Sequence, residues 1–89
     1  MSFNIFFHPK AKDFFDKLGA QFQRRIKKKI SELKEFPEER GKHLKHSGFW
    51  SLRIGDYRAI YEIDREQERI IVLFIGHRKN VYDDFLKMV

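Results

Sequence analysis

Phe49-Trp-Ser-Leu-Arg-Ile-Gly-Asp-Tyr-Arg-Ala-Ile-Tyr-Glu-Ile63 decides the fold, because it reads as two strands joined by a tight two-residue turn. Gly55-Asp56 separates two runs rich in aromatic and β-branched residues, and glycine stands at the first central position of the turn. Such a turn fixes the register. Counting outward, Ile54 faces Tyr57, Arg53 faces Arg58, Leu52 faces Ala59, Ser51 faces Ile60 and Trp50 faces Tyr61. Arg53 and Arg58 thereby share one sheet face, where like charges directly opposite destabilise the ladder unless an anion lies between them. The planar donor fork of arginine suits phosphate. The alternative is a pair of solvated arginines splayed apart on an open face.

Working outward, Ser2 to Phe7 reads as a short apolar strand ended by His8-Pro9. Pro9 suits the first turn of a helix, and Ala11, Phe14, Phe15 and Leu18 recur at helical spacing until Gly19. A second helix follows at once, with Phe22, Ile26, Ile30 and Leu33 as its apolar stripe and Pro37 marking its end. Two helices joined this tightly predict an antiparallel pair covering one face of a sheet. Pro37 to Gly41 is polar and turn-prone, and the basic stretch Lys42 to His46 leads into the arginine hairpin. After the polar loop Arg65 to Glu68, Arg69 to Gly76 is apolar on both faces and predicts an interior strand covered on both sides for part of its length. Val81 to Met88 predicts a short closing helix. The order is strand, helix, helix, three strands, helix: a single α+β domain over residues 1–89, a small twisted sheet with a helical hairpin on one face.

Eighty-nine residues allow one modest core. Ten phenylalanines, three tyrosines and one tryptophan fill it with few side chains, so most of them are packing residues. The formal charge of +6 points to a polyanionic partner. Arg24, Arg25, Lys27, Lys28 and Lys29 sit around the second helix, where they serve either as a solvated face or as contacts to RNA phosphates; Lys42 and Lys45 belong to the same basic set. The absence of cysteine excludes disulfides, thiolate metal sites and cysteine nucleophiles. Of the four histidines, His43 and His46 lie three apart near a strand, a spacing that turns them to opposite faces, so no metal site is expected. The N-terminus lacks the sections of a signal peptide and no apolar run is long enough to span a bilayer, so the expected location is the cytoplasm.

With one sheet face taken by helices, the other is left for Arg53, Arg58 and the end of the last strand. Gly76-His-Arg-Lys-Asn-Val-Tyr82 offers an imidazole, a guanidinium, an ammonium and a phenol at a strand-to-helix junction. A cationic cleft with an aromatic ring is the minimal equipment for holding RNA, since charges grip phosphates and a ring stacks on a base.

Leu52 to Tyr61, Leu-Arg-Ile-Gly-Asp-Tyr-Arg-Ala-Ile-Tyr, together with Phe74 to Tyr82, Phe-Ile-Gly-His-Arg-Lys-Asn-Val-Tyr, resembles the RelE branch of the RelE/ParE toxin superfamily. The resemblance extends over essentially the whole chain. It implies a toxin of a type II toxin-antitoxin module that enters the ribosomal A site and cleaves mRNA there. A RelB-like antitoxin would neutralise it in a hetero-oligomer. By the same resemblance Arg58 and Arg78 stabilise the scissile phosphate, Arg53 falls at a basic catalytic position, and Tyr82 stacks on or orients a base. Where some relatives carry a second catalytic lysine two residues before Arg53, this chain has Ser51, which leaves the proton acceptor open.

The implied reaction is metal-independent and needs no cofactor: a 2′-hydroxyl attacks the adjacent phosphate, giving a 2′,3′-cyclic phosphate and a free 5′-hydroxyl. Arginine does not serve as a base at neutral pH, so His77 is the expected proton acceptor, with a strand-end histidine bonded to backbone as the alternative. A ParE-like inhibitor of DNA gyrase and a catalytically silent RNA-binding module of the same fold are the competing functions.

Overall fold

The computed structural model describes residues 2–88. Strand β1 (Asn4–Phe7) leads into α1 (Pro9–Asp16) and α2 (Ala20–Ser31). Pro9 occupies the first helical turn of α1, and His8 caps it with its ring Nδ1 accepting the Lys10 N–H. The second helix gives way to a 3-10 turn, Glu32–Lys34, before the expected proline boundary, and Phe36 adopts a left-handed φ of 56° ahead of Pro37. Pro37 to Arg40, expected as a loop, forms the short helix α3, since proline presets the first helical φ. Next come β2 (Lys42–His43), β3 (Phe49–Ile54), β4 (Tyr57–Asp64), β5 (Arg69–His77) and α4 (Val81–Met88).

The sheet is five-stranded in the order β1-β5-β4-β3-β2, with β1 parallel to β5 and every other pair antiparallel. The three expected strands after the helices become four, because the start of the basic stretch pairs through Lys42 and His43 with Ser51 and Trp50. The hairpin register is as counted from the sequence, Arg53 opposite Arg58 included. Gly55 has φ +60°, the value that turn position requires and that other residues adopt at a cost.

Each face of the sheet has its own core. On one face Ala11 and Phe15 of α1, Ile26 and Ile30 of α2, and Leu33 pack against Leu52, Ile54, Ala59, Tyr61, Ile70, Val72 and Ile75. On the other, α4 lays Val81 and Phe85 over Ile60, flanked by Phe49, Leu73 and Phe74. The strand β5 supplies both cores by alternation, and a bulge shifts which residues face each one: Ile60 pairs with Phe74 and Tyr61 with Val72, leaving Leu73 as an extra residue. One extra residue reverses the side-chain alternation beyond it. Ile75 and His77 therefore fall on the same face as Ile70 and Val72. At the far end of this hairpin Arg69 holds Asp64 at 2.8 Å, and this hydrogen bond, with the Gln67 N–H, keeps the Asp64 carboxyl below the usual aspartate range.

Candidate active site

The face that α4 half-covers carries the site. Period-2 alternation puts Ser51 and Arg53 of β3 on it, together with Arg58 and Ile60 of β4. Ser51 is the hub. Its hydroxyl oxygen, in a residue only 1% exposed, accepts from Arg58 Nη1 and from the Tyr82 hydroxyl, each at 3.1 Å. The Arg58 guanidinium also lies 6.0 Å from the centroid of the Tyr82 ring, so the first turn of α4 fixes this arginine by a hydrogen bond through serine and by cation–π attraction.

Arg53 turns the opposite way, donating from Nε to the Gly55 carbonyl at 3.3 Å. The two arginines that face each other on the ladder are thus parted, one back toward Ser51 and one forward to the turn. This is the splayed arrangement, and among the described residues no acidic side chain pairs with either arginine. It leaves a cationic gap over the Arg53–Arg58 rung. The next residue in that row is Gly76, opposite Arg58, where Val81 and the Phe74 ring pack so closely that a β-carbon would come within 3.2–3.3 Å of them, so α4 bounds the gap on that side.

Arg78 extends the row at the tip of the hairpin. Its backbone N–H donates to the Asp56 carbonyl at 2.8 Å, and its guanidinium lies 3.8 Å from the exposed Asp56 carboxylate. An exposed pair of this kind holds weakly, so Arg78 can turn to a phosphate at little cost.

His77 is not brought to this set. It pairs with Tyr57, whose ring meets Phe14 and Phe22 on the helix-pair face, and the His77 ring packs edge-on against Tyr57 with centroids 6.2 Å apart. Its Nδ1 accepts the Lys79 N–H at 3.3 Å. With Phe22, Arg25 and Asp56 it lines a cavity of about 220 Å³ between α2 and the hairpin turn. The bulge at Leu73 is the reason: strict alternation from Ile70 would have turned His77 toward the arginines.

The basic residues of α2 also lie on the helix layer. Arg24, Lys28 and Lys29 are exposed, while Lys27 sits 5.8 Å from the Phe15 ring centroid. Arg25 covers the turn, its guanidinium so close to Gly55 that a β-carbon there would come within 3.1 Å of it. Lys42 and Lys45 are exposed around the edge strand. Lys42 stands opposite Ser51 and so joins the site face. Ser51 itself was read from the sequence only as a departure from a pattern. The signal that would have found it is the i, i+2 spacing to Arg53, which places a small hydroxyl beside two guanidiniums on one face.

A hairpin that displays opposed arginines on a five-stranded sheet, backed by two helices and roofed by a third, defines a compact cationic α+β domain of a kind seen among bacterial toxins. Residues 5–82 match the family described as ParE toxin of type II toxin-antitoxin system, parDE, and the chain belongs to that family, within the RelE/ParE superfamily. Toxin RelG of Mycobacterium tuberculosis (strain ATCC 25618 / H37Rv) is 34% identical over 55 residues, covering 60% of this chain and 63% of that protein. Among solved structures, the toxin-antitoxin complex RelBE2 from M. tuberculosis matches with a TM-score of 0.80 at 27% identity, covering 88% of this chain and 93% of that one. An arginine-to-alanine double mutant of E. coli toxin RelE in the free state matches with a TM-score of 0.79 at 26% identity over 100% of this chain and 99% of the other.

Proposed function

We propose that this toxin is a ribosome-dependent endoribonuclease that cuts mRNA in the A site and so arrests translation. The observation that carries the reading is the opposed pair Arg53 and Arg58 on an open sheet face, with Arg58 held on Ser51 and Tyr82. The scissile phosphate fits the gap over this rung. Attack by the 2′-oxygen gives a phosphorane with additional negative charge, which Arg58 and Arg53 stabilise from the sheet and Arg78 from the tip. Tyr82 holds Arg58 through Ser51 and its ring borders the position of the flanking base. Donors fixed before the substrate arrives act without reorganising at the moment of reaction. The exposed cations of α2 lie on another surface and serve contact with ribosomal RNA phosphates.

The partner in this reading is a RelB-like antitoxin, which the toxin-antitoxin complex RelBE2 from M. tuberculosis supports by analogy. The working compartment is the cytoplasm, where translating ribosomes are; among the described residues no helix is long and apolar enough to cross a membrane. The test is expression of the chain with three readouts: mRNA cleavage on translating ribosomes, cleavage of free mRNA, and supercoiling by gyrase. Cleavage confined to ribosomes is expected. Blocked supercoiling with intact mRNA would replace this reading with the gyrase one, which the ParE name of the matching family keeps in view.

A further inference from the structure

We infer that Lys42 donates the proton to the leaving 5′-oxygen, a catalytic role that rests on the endoribonuclease reading above. Cyclisation forms a bond from the 2′-oxygen to phosphorus and breaks the bond from phosphorus to the 5′-oxygen, whose electron pair stays on that oxygen. The alkoxide so formed is strongly basic and needs a proton. Few groups on the site face can give one. Guanidiniums keep their protons near neutrality, the Tyr82 hydroxyl is committed to Ser51, and His77 faces the helices.

Lys42 is on the right face and in the right row. It stands directly opposite Ser51 on the β2–β3 ladder, and its diagonal neighbour on β3 is Arg53, a separation of about 7–8 Å that long side chains bridge. It is exposed, and among the described residues it has no ion-pair partner. Its backbone is held although β2 is only two residues long. Tyr61, buried in the core, donates its hydroxyl to the Pro37 carbonyl at 2.7 Å and pins α3 to the sheet. Gly41 then passes so close that a β-carbon there would meet the Ser51 carbonyl oxygen at 2.9 Å and the Tyr61 ring. The ammonium is thus delivered to the edge of the arginine rung by an anchored strand.

In the resulting step the Lys42 ammonium gives its proton to the 5′-oxygen as the phosphorus bond breaks, the 2′-hydroxyl proton passes to water, and the amine regains a proton from solvent. Charge is conserved, and the products are the 2′,3′-cyclic phosphate and the 5′-hydroxyl.

A substrate that needs no such proton tests the assignment. Two mRNAs are programmed on ribosomes for single-turnover cleavage, one with the ordinary 5′-oxygen bridge and one with sulfur at that bridging position, since a thiolate leaves unprotonated. Lys42→Ala should slow the oxygen substrate about a hundredfold or more and cut the sulfur substrate at the wild-type rate. Lys42→Arg should behave like Lys42→Ala, because a guanidinium keeps the charge but is too weak an acid to give up a proton near neutral pH. Equal slowing of both substrates, or normal cleavage of both, would overturn the role. Wild-type protein that cuts neither RNA would remove the endoribonuclease reading and this proposal with it.

Discussion

On the helix-pair face of the hairpin, Leu52, Ile54, Ala59 and Tyr61 are all 6% exposed or less, while on the α4 face only Ser51 and Ile60 are buried and Arg53 reaches solvent. The same two strands supply both surfaces, residue by alternate residue. One face is closed by two helices and holds the larger core; the other is roofed over part of its length by α4 and keeps its cations at the uncovered end. The division lets stability and chemistry vary separately, because a substitution on the open face removes little buried apolar area. It also makes the comparison testable: changes on the α4 face should alter cleavage with little change in stability, and changes near the turn on the helix face should leave cleavage alone.

The largest effect is expected at Arg58. Arg58→Ala removes a charged donor from the transition state and should lower single-turnover cleavage about 10²- to 10³-fold, with arrest of growth abolished. The loss in stability should stay within about 1.5 kcal/mol, the worth of its hydrogen bond to Ser51. Thermal unfolding and cleavage measured on one preparation check this. A folded variant that still arrests growth would break the division between the faces.

Much of this layout was legible in the chain. The turn residues Gly55-Asp56 fixed the β3–β4 register, because a two-residue turn leaves no slack, and the apolar stripes of α1 and α2 identified the covered face. Helical spacing placed α4 from Val81 to Met88. The edge strand β2 was not legible, since Lys42 and His43 carry no β signal of their own and pair only because α3 and Gly41 bring them against β3. The bulge at Leu73 was not legible either: Ile70 to Ile75 is apolar at every position, so the sequence shows no break in alternation where the structure has one. That single inserted residue carries His77 away from Arg58. Ser51 was missed because its importance lies in two long-range partners, Arg58 seven and Tyr82 thirty-one residues away.

Ser51→Ala should therefore act on the site through its partners. Arg58 and the Tyr82 hydroxyl both lose their common acceptor, at a cost of roughly 1 kcal/mol each for the hydrogen bonds. The expected result is a drop in cleavage of about tenfold with ribosome affinity retained, because Arg58 keeps its charge and loses its fixed direction. Ser51→Thr keeps the hydroxyl and should recover part of the rate. A smaller effect, of opposite sign on stability, is expected from Arg53→Thr. Removing one of two like charges on a rung, and placing a β-branched residue in a strand, should leave the free protein unchanged or raise its stability by about 0.2–1 kcal/mol. Denaturant unfolding measures this. Clear destabilisation would show that the bond from Arg53 to the Gly55 carbonyl matters more to the hairpin than the repulsion it escapes.

The smallest effect separates the two faces most cleanly. His77 stands beyond the bulge, packed on Tyr57 with its Nδ1 accepting the Lys79 N–H, while the Arg58, Ser51 and Tyr82 network lies on the other side of the sheet. If proton transfer belongs to the α4 face alone, His77→Gln should cleave ribosome-bound mRNA at close to the wild-type rate with the same pH profile. Were His77 the base, the same variant would lose about a hundredfold and the rise of rate with pH would vanish. A proton carrier must come within about 2.6–3.2 Å of the hydroxyl it serves, or reach it through one water. The β5 backbone stands between the His77 ring and that hydroxyl. A hundredfold loss would therefore mean that the β5 end re-registers on the ribosome and undoes the bulge, since only strict alternation through Leu73 would carry His77 to the side of Arg58.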